Sequence, residues 1–190
     1  MRDGDHWHDY NRAQAGRGPR ELCLRAIEVA GPGRGRIALD LGAGAGVESR
    51  ALADAGWQVT AFDLDSALVE RLSDTDVQVH VGSMTEVDLL SADLVHAGFS
   101  LPFVPPAGFP TFWERLRAAL RPGGLLAVNL FGVHDDWAGE QVMTFHSRAD
   151  VEALTSGLEV IDLGEVEEDG PAYSGPKHWH LFSVLARRPA

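Results

Sequence analysis

Little in this sequence is basic, sulfur-containing or continuously apolar. Its 190 residues include a single cysteine, Cys23, and carry a formal net charge of −12. One cysteine excludes an intramolecular disulfide and indicates a reducing compartment. The acidic balance argues against a nucleic-acid partner, and no apolar stretch is long enough to span a bilayer. We therefore expect a cytoplasmic protein, a monomer or a homodimer, with a small-molecule substrate and with no nucleic-acid or membrane partner.

The sequence does contain a regular alternation of apolar strands and helical segments. Strands are predicted at about 36–41, 58–63, 77–81, 92–98 and 124–131, and two more at about 159–166 and 178–187. This alternation predicts an α/β fold with a doubly wound, seven-stranded, mostly parallel, Rossmann-like sheet. The last two strands are predicted to form a hairpin across a loop rich in Glu, Asp, Gly and Pro, which makes the last strand antiparallel. We assign residues 19–190 to this domain and residues 1–18 to an amino-terminal arm.

The most informative motif is Ile37-Ala-Leu-Asp-Leu-Gly-Ala-Gly-Ala-Gly46, which joins the first strand to a helix. Its glycines allow the backbone to approach a ligand at the carboxyl end of the strand. A dinucleotide fingerprint requires glycine at the sixth loop position, where this chain has Val47, and the acid before the loop would repel a pyrophosphate. S-adenosylmethionine carries an ammonium and a sulfonium but no phosphate, and therefore suits the loop. The predicted contacts are Asp40, Gly42, Ala43, Gly44 and Gly46.

A second acid, Asp63, ends the second predicted strand. An acid about 20 residues beyond such glycines accepts hydrogen bonds from ribose hydroxyls in nucleotide sites. The succession of strand, acid, glycines, helix, strand and acid predicts a cofactor more strongly than the glycines alone. The alternative is an ordinary glycine turn beside a helix-capping Asp.

Four motifs resemble the class I S-adenosylmethionine-dependent methyltransferases. They are Leu39-Asp-Leu-Gly-Ala-Gly-Ala-Gly46, Ala61-Phe-Asp-Leu-Asp65, Ala92-Asp-Leu-Val95 and Leu120-Arg-Pro-Gly-Gly-Leu-Leu126. The segment Phe99-Ser-Leu-Pro-Phe103 is similar to the small bacterial TehB-like, tellurite-resistance-related group. The resemblance implies methyl transfer to oxygen, nitrogen, sulfur or a chalcogen oxyanion of a small molecule, with S-adenosylhomocysteine as product. A methyltransferase-fold protein that binds the cofactor as a non-methylating catalyst or as a binding module is the alternative.

The resemblance also implies cofactor contacts at three further strand ends. In this family the loop after the third strand contacts adenine, and this chain has Ser83 and Met84 there. Leu64 follows the second strand and Gly98 the fourth, and both are included in the predicted cofactor site. The Asp/Asn-Pro-Pro-Tyr/Phe motif of base-methylating enzymes is absent at the fourth strand, which argues against a nucleic-acid base as acceptor.

The catalytic candidates lie at the beginning of the last strand. An antiparallel last strand begins at the edge where its parallel neighbours end, which places Lys177, His178 and His180 there. Because side chains alternate along a strand, the two histidines share one face, and an imidazole suits a general base. Lys177 is the only lysine, and a compact cation suits an anionic acceptor. The alternative is that both histidines pack or hydrogen-bond within the sheet.

The amino-terminal arm is polar and aromatic. We interpret it either as a lid over the substrate or as a disordered segment. The predicted substrate-binding residues are Tyr10 of this arm together with Phe99, Leu101 and Phe131, although such aromatics also occur in cores. His6 and His8 form a His-x-His without further ligands at suitable spacing, and we therefore predict no metal.

Overall fold

The computed structural model describes residues 4–190, so the first three residues of the predicted arm lie outside the described part. Six helices and eight strands are found within the described range. The helices are α1 (Gly4–Gln14), α2 (Glu21–Ala30), α3 (Val47–Asp54), α4 (Leu68–Arg71), α5 (Phe109–Ala119) and α6 (Arg148–Leu154). The strands are β1 (Ile37–Leu41), β2 (Gln58–Asp63), β3 (Gln78–Val81), β4 (Ala92–Ala97), β5 (Leu120–Gly132), β6 (Phe145–His146), β7 (Glu159–Ala172) and β8 (Gly175–Arg187). A single 3₁₀ turn, Leu101–Phe103, follows β4.

The strands form one sheet in the order β3-β2-β1-β4-β5-β8-β7, and the two-residue β6 pairs beside β5. β1 to β5 run parallel to one another, whereas β8 is antiparallel to both β5 and β7. The predicted α/β sheet, mostly parallel with an antiparallel last strand, is confirmed, and β6 is an addition to the seven predicted strands. The strand order reverses between β1 and β4, and a ligand crevice is expected at the carboxyl ends of these two strands.

Both faces of the sheet are covered by helices, as the apolar strands predict. On one face Phe112 and Leu116 of α5 pack with Leu39 and Val95 of the central strands. On the other face α2 buries Cys23, and burial raises the pKa of its thiol, which fits the small hydrophobe expected there. Within residues 4–190 no helix is long and apolar enough to cross a membrane.

The final hairpin differs most from the sequence prediction. β7 continues to Ala172 and β8 begins at Gly175, so cross-strand pairing replaces the predicted loop and leaves only Tyr173 and Ser174 in the turn. The predicted loop was wrong because Glu, Asp, Gly and Pro disfavour strands as single residues, whereas here each pairs with a residue of β8.

Three helices differ in how well the local sequence indicates them. α1 forms within the predicted arm, where the composition indicated only a polar and aromatic segment. α4, which connects β2 to β3, is only a single turn of four residues. The start of α6 is a capping box in which the side chains of Ser147 and Asp150 each accept from the other residue's backbone N–H, as the sequence indicates.

Candidate cofactor and acceptor site

The glycine loop between β1 and α3 adopts a conformation that only glycine tolerates well. Gly42, Gly44 and Gly46 have φ angles of 74°, 56° and 77°. An added Cβ at Gly42 would lie 2.3 Å from the Ser100 Cβ, and one at Gly44 would lie 2.9 Å from Asn11 Oδ1. The loop is therefore packed closely from two sides, by the segment after β4 and by α1.

Asp63, at the carboxyl end of β2, holds this loop in place. The Gly44 N–H donates to Asp63 Oδ2 at 2.7 Å, and the Asp65 N–H donates to Asp63 Oδ1 at 2.9 Å. Burial raises the pKa of Asp63, although these backbone hydrogen bonds oppose the effect. Each carboxylate oxygen has a further lone pair, so Asp63 is still able to accept hydrogen bonds from a ligand.

Asp40 lies beneath the loop rather than on its surface. Its side chain is buried, with Ser49 Oγ donating to one oxygen at 2.5 Å and His96 Nδ1 lying 2.8 Å from the other. These bonds connect β1, α3 and β4 under the glycines. The predicted contact between Asp40 and the cofactor stays a prediction, since the structure gives this carboxylate protein partners.

α1 lies over the loop and is fixed there by Asp65. The side chains of Asn11 and Arg71 donate to Asp65 at 3.1 and 2.8 Å, and His8 Nδ1 lies 3.3 Å from it. Burial opposes ionisation of Asp65, but these hydrogen bonds outweigh it and lower the pKa of Asp65 to about 2. The arm is thus attached to the end of β2, immediately beside Asp63.

Arg20, just before α2, has a guanidinium with no carboxylate partner among residues 4–190, although its backbone N–H donates to Glu48 at 3.0 Å. Its guanidinium lies 4.5 Å from the centre of the Phe99 ring, and one amino group donates to the Tyr10 hydroxyl at 3.4 Å. The neighbouring Arg17, by contrast, forms a two-point ion pair with Glu48 at 2.5 and 2.7 Å. Burial, reinforced by the charge of Arg17, lowers the pKa of Arg20, so an anion bound here would be stabilised.

The remaining predicted cofactor residues surround the same sheet edge. Leu64 is 64% exposed beside Asp63, and the Ser83 hydroxyl bonds to that of Thr85 at 2.7 Å. Met84 is partly buried against the core, and an added Cβ at Gly98 would lie 3.0 Å from the His96 ring. Each lies at the carboxyl end of a parallel strand, where the sequence placed it.

An aromatic cluster lies next to the loop, at the carboxyl ends of β4 and β5. We define it as Trp7, Phe99, Phe103, Phe131, Trp137 and Trp179. Phe131 is at its centre, with ring centroids 5.8 to 6.3 Å from those of four other members. Phe99 has a φ of 61°, which is uncommon for a bulky residue and holds its ring toward this cluster.

Of the four predicted substrate residues, two belong to this cluster, one lies at its border and one does not reach it. Phe99 and the buried Phe131 belong to the cluster, and Tyr10 lies at its border, 6.0 Å from the Trp7 ring and 5.6 Å from Tyr173. Leu101 is fully buried in the core, which corrects its prediction as a substrate contact, because the 3₁₀ turn directs it under the sheet edge.

Lys177 is buried within the aromatic cluster rather than exposed to an acceptor. Its ammonium lies 3.9 and 4.4 Å from the ring centres of Trp179 and Trp137, and it forms an ion pair with the buried Asp135. It also donates to the His178 carbonyl at 3.1 Å. The predicted capture of an anionic acceptor is not favoured by this geometry, because Asp135 already neutralises the charge.

The two predicted catalytic histidines lie on the opposite face of β8. Alternation along the strand places Lys177 and Trp179 on one face and His178 and His180 on the other. His180 is buried, accepts from the His134 N–H at 3.1 Å through Nδ1, and lies 3.1 Å from Glu165 through Nε2. His178 pairs with Asp169 at 2.7 Å, a contact that raises the pKa of its imidazole. The histidines therefore do not face the aromatic cluster together with Lys177, and this geometry argues against their predicted role as general bases.

Several contributors to this site were not found from the sequence. They are Asn11, Arg20, Ser100, Trp137 and Trp179. Ser100 donates to the Leu41 carbonyl at 2.5 Å and so closes the crevice between β1 and β4. For Arg20, its position directly before a helix was a usable signal for a binding residue. The other four depend on contacts between residues that are distant in the sequence.

Comparison with known proteins agrees with this geometry. Residues 38–124, from β1 to the start of β5, match a family model described as a methyltransferase domain. The class I S-adenosylmethionine-dependent methyltransferase domain expected from the sequence is therefore supported over residues 38–124, a little under half of the chain. The match agrees with the predicted cofactor, S-adenosylmethionine, and with S-adenosylhomocysteine as its product form.

Curated relatives of this methyltransferase domain carry a different enzyme name. The chain is 32% identical over 120 residues to carboxy-S-adenosyl-L-methionine synthase from Aliivibrio fischeri (strain MJ11), covering 56% of this chain and 50% of that protein. It is 30% identical over 116 residues to the synthase of that name from Photobacterium profundum, covering 55% of this chain and 48% of that protein. The chain thus spans about half the length of the curated relatives it matches.

Solved structures with the same fold include named methyltransferases. TehB from Haemophilus influenzae aligns with a TM-score of 0.77 at 14% identity, covering 96% of this chain and 67% of that one, and matches the predicted TehB-like group at the level of fold. A Burkholderia thailandensis 1,6-didemethyltoxoflavin-N1-methyltransferase gives 0.70 at 21% identity, covering 98% and 85%. The N-methyltransferase NodS from Bradyrhizobium japonicum WM9, with bound S-adenosylhomocysteine, gives 0.70 at 14%, covering 97% and 99%. At these identities the structures show the fold alone.

Proposed function

We propose that this protein transfers the methyl group of S-adenosylmethionine to a small-molecule acceptor bound against the aromatic cluster. The observation that carries the proposal is the glycine loop held by Asp63 at the reversal point of the sheet. In this arrangement Asp63 accepts from the ribose hydroxyls, and the backbone of Gly42 to Gly46 borders the methionyl part. Leu64, Ser83 and Met84 border adenine, and Gly98 allows close approach from β4.

Asp40 acts in this proposal as a support and not as a ligand. With Ser49 and His96 it fixes the loop from below, at 2.5 and 2.8 Å. Its charge also lies beneath the position of the methionyl ammonium and sulfonium, so a cationic ligand is favoured without direct contact.

Arg20 supplies the matching positive charge. A methionyl group carries a carboxylate, and a guanidinium forms two parallel hydrogen bonds with such a group. The Arg20 guanidinium lies beside Phe99 and has no carboxylate partner among the described residues, so it is the group suited to this anion.

The amino-terminal residues 1–18 act as a lid in this proposal. α1 places Asn11 against Gly44, and Tyr10 and Trp7 against the aromatic cluster and the hairpin tip. Entry of the cofactor would require α1 to separate from the loop, and its return would exclude water. Methyl transfer then needs mainly alignment of the acceptor with the sulfonium, because the methyl donor is already activated.

The acceptor that best suits this surface is planar and largely apolar. Aromatic rings line the site, and Lys177 is neutralised by Asp135, so an oxyanion would find little positive charge there. Chalcogen oxyanions are a weaker alternative than an aromatic or heterocyclic acceptor.

We also propose a cytoplasmic location for the protein, as expected from its single cysteine.

Arg20→Ala tests the cofactor assignment. A charge-assisted hydrogen bond contributes about 1.5–3 kcal/mol, so we expect S-adenosylhomocysteine to bind about 10- to 150-fold more weakly in isothermal titration. Arg25→Ala is the matched control, because Arg25 lies on the exposed side of α2 and pairs only with Glu28. Equal affinities in the two variants would refute the role of Arg20.

A second candidate function is a non-methylating reaction on the same cofactor. It is favoured by the name of the curated relatives, carboxy-S-adenosyl-L-methionine synthase. Mass spectrometry of reactions with S-adenosylmethionine and panels of aromatic acceptors and carboxylic acids separates the two. Formation of S-adenosylhomocysteine with a methylated acceptor supports the first function, and a heavier, carboxylated S-adenosylmethionine supports the second.

A further inference from the structure

A cluster of histidines and carboxylates lies on the face of the hairpin opposite the aromatic cluster. Ligand atoms of His134, Glu167 and His180 all lie within 4.8 Å of one another. Glu165 and His178 adjoin them, with Glu165 Oε1 at 3.1 Å from His180 Nε2 and His178 Nε2 at 3.5 Å from Glu167 Oε1. None of these side chains has a part in the proposed methyl transfer.

The separations fit a shared metal ion. Zinc binds imidazole nitrogen and carboxylate oxygen at about 2.0–2.2 Å, so two ligand atoms of a tetrahedral site lie about 3.3–3.5 Å apart. His134 Nδ1 lies 3.1 Å from Glu167 Oε2, and the other two imidazole–carboxylate pairs lie at 3.1 and 3.5 Å. Small movements of exposed glutamates therefore suffice to replace each hydrogen bond by two metal bonds.

Two contacts fix the orientation of the His180 ring. The His134 N–H donates to His180 Nδ1 at 3.1 Å and directs Nε2 toward Glu165; a metal on Nε2 would displace this contact, because a neutral imidazole that binds a metal through Nε2 carries its proton on Nδ1. The His134 and His180 rings are stacked, with centroids 4.9 Å apart and planes 19° apart. An added Cβ at Gly132 would lie 2.1 Å from the His180 ring, so this position of the ring requires glycine beneath it.

We propose that His134, Glu167 and His180, with Glu165 or His178 as a fourth ligand, bind one zinc-type divalent ion. Mixed imidazole and carboxylate ligands suit such borderline metals. The ion would join the turn after β5 to the hairpin. That turn carries Asp135 and Trp137, which hold Lys177 on the other face, so the ion would stabilise the acceptor side of the sheet.

Zinc binding to the full chain, freed of any affinity tag and of metal, tests the proposal. We expect one Zn²⁺ per chain by competition with a chromogenic chelator, and a higher melting temperature with zinc. His134→Ala and Glu167→Gln change exposed side chains and should each weaken zinc binding at least tenfold. His80→Ala, at an exposed histidine of β3, is the matched control and should bind like the wild type.

His8→Ala distinguishes the other histidine pair. Loss of zinc in His8→Ala, with binding retained in His134→Ala, would overturn the proposal in favour of the His-x-His of α1. Equal binding by the wild type, His134→Ala and Glu167→Gln would overturn it as well. With Co²⁺ as the probe, a visible spectrum that His134→Ala abolishes and His80→Ala preserves would support it.

Discussion

Asp63→Asn should separate cofactor binding from folding. The substitution keeps the size of the side chain but turns one oxygen into an NH₂ group. Asp63 accepts backbone N–H bonds on both oxygens, from Gly44 and from Asp65. An Asn side chain has a single carbonyl oxygen, so it can accept only one of these two backbone N–H bonds. It also offers no charged acceptor to the two ribose hydroxyls.

The expected loss can be worked out from hydrogen-bond energies. A bond to a charged group contributes about 1.5–3 kcal/mol, so affinity for S-adenosylhomocysteine should fall about 10- to 150-fold. At a ligand concentration of a hundred times the wild-type Kd, binding stabilises the wild-type protein by about 2.7 kcal/mol. The same concentration should stabilise Asp63→Asn by only about 0.3–1.4 kcal/mol.

Isothermal titration gives the affinity, and thermal unfolding with and without ligand gives the stabilisation. Asp74→Asn is the matched control, because Asp74 is exposed and pairs with Arg50 at 2.8 Å, away from the loop. A folded Asp63→Asn protein with wild-type affinity would refute the placement of the ribose at the end of β2.

Three further predictions concern the loop, one buried histidine and one exposed histidine. Gly44→Val should abolish S-adenosylhomocysteine binding while circular dichroism stays that of a folded protein, because φ is 56° and the new side chain would meet Asn11. Burial lowers the pKa of His146, so this residue binds more protons in the unfolded chain than in the folded one. Its contribution to the free energy of unfolding is therefore complete above about pH 6.5, the pKa of a free histidine, and decreases as the pH falls below that value. His146→Phe should reduce that fall in pH-dependent thermal unfolding. His178→Ala should leave turnover near wild type, since this side chain lies on the face away from the acceptor.

Each of these predictions has a clear contrary result. Wild-type affinity in Gly44→Val would mean that the loop does not border the ligand. An unchanged acid limb in His146→Phe would assign the loss of stability to other groups. A 10²–10⁴-fold fall in turnover for His178→Ala would restore it as a general base.

The cofactor half of the site was predictable because its signals are local. The strand, the glycines and Asp63 lie within a short stretch, and parallel pairing of β1 with β2 brings their ends together. Gly42, Gly44 and Gly46 all have positive φ angles, and glycine at these positions is a local sequence signal for that conformation.

The acceptor half depends on contacts that no local pattern reveals. Lys177 appeared available as a lone lysine, but Asp135, distant in sequence, neutralises it. The two histidines were correctly placed on one face of the last strand, yet which face meets the cofactor depends on the register with β5. α1 was not foreseen as a helix because its attachment to Asp65 is tertiary.

The residues that enclose the site come from opposite ends of the chain. Tyr10 of α1 contacts Tyr173 at the hairpin tip, with ring centroids 5.6 Å apart. Both residues lie outside residues 38–124, the part that matches the methyltransferase-domain model. Evolution can therefore remodel the entrance, and with it the choice of acceptor, by mutating the termini while the donor-binding core stays intact. Homologues that share the central segment can then differ in chemistry, and substrate assignments should be compared through the two ends of the chain.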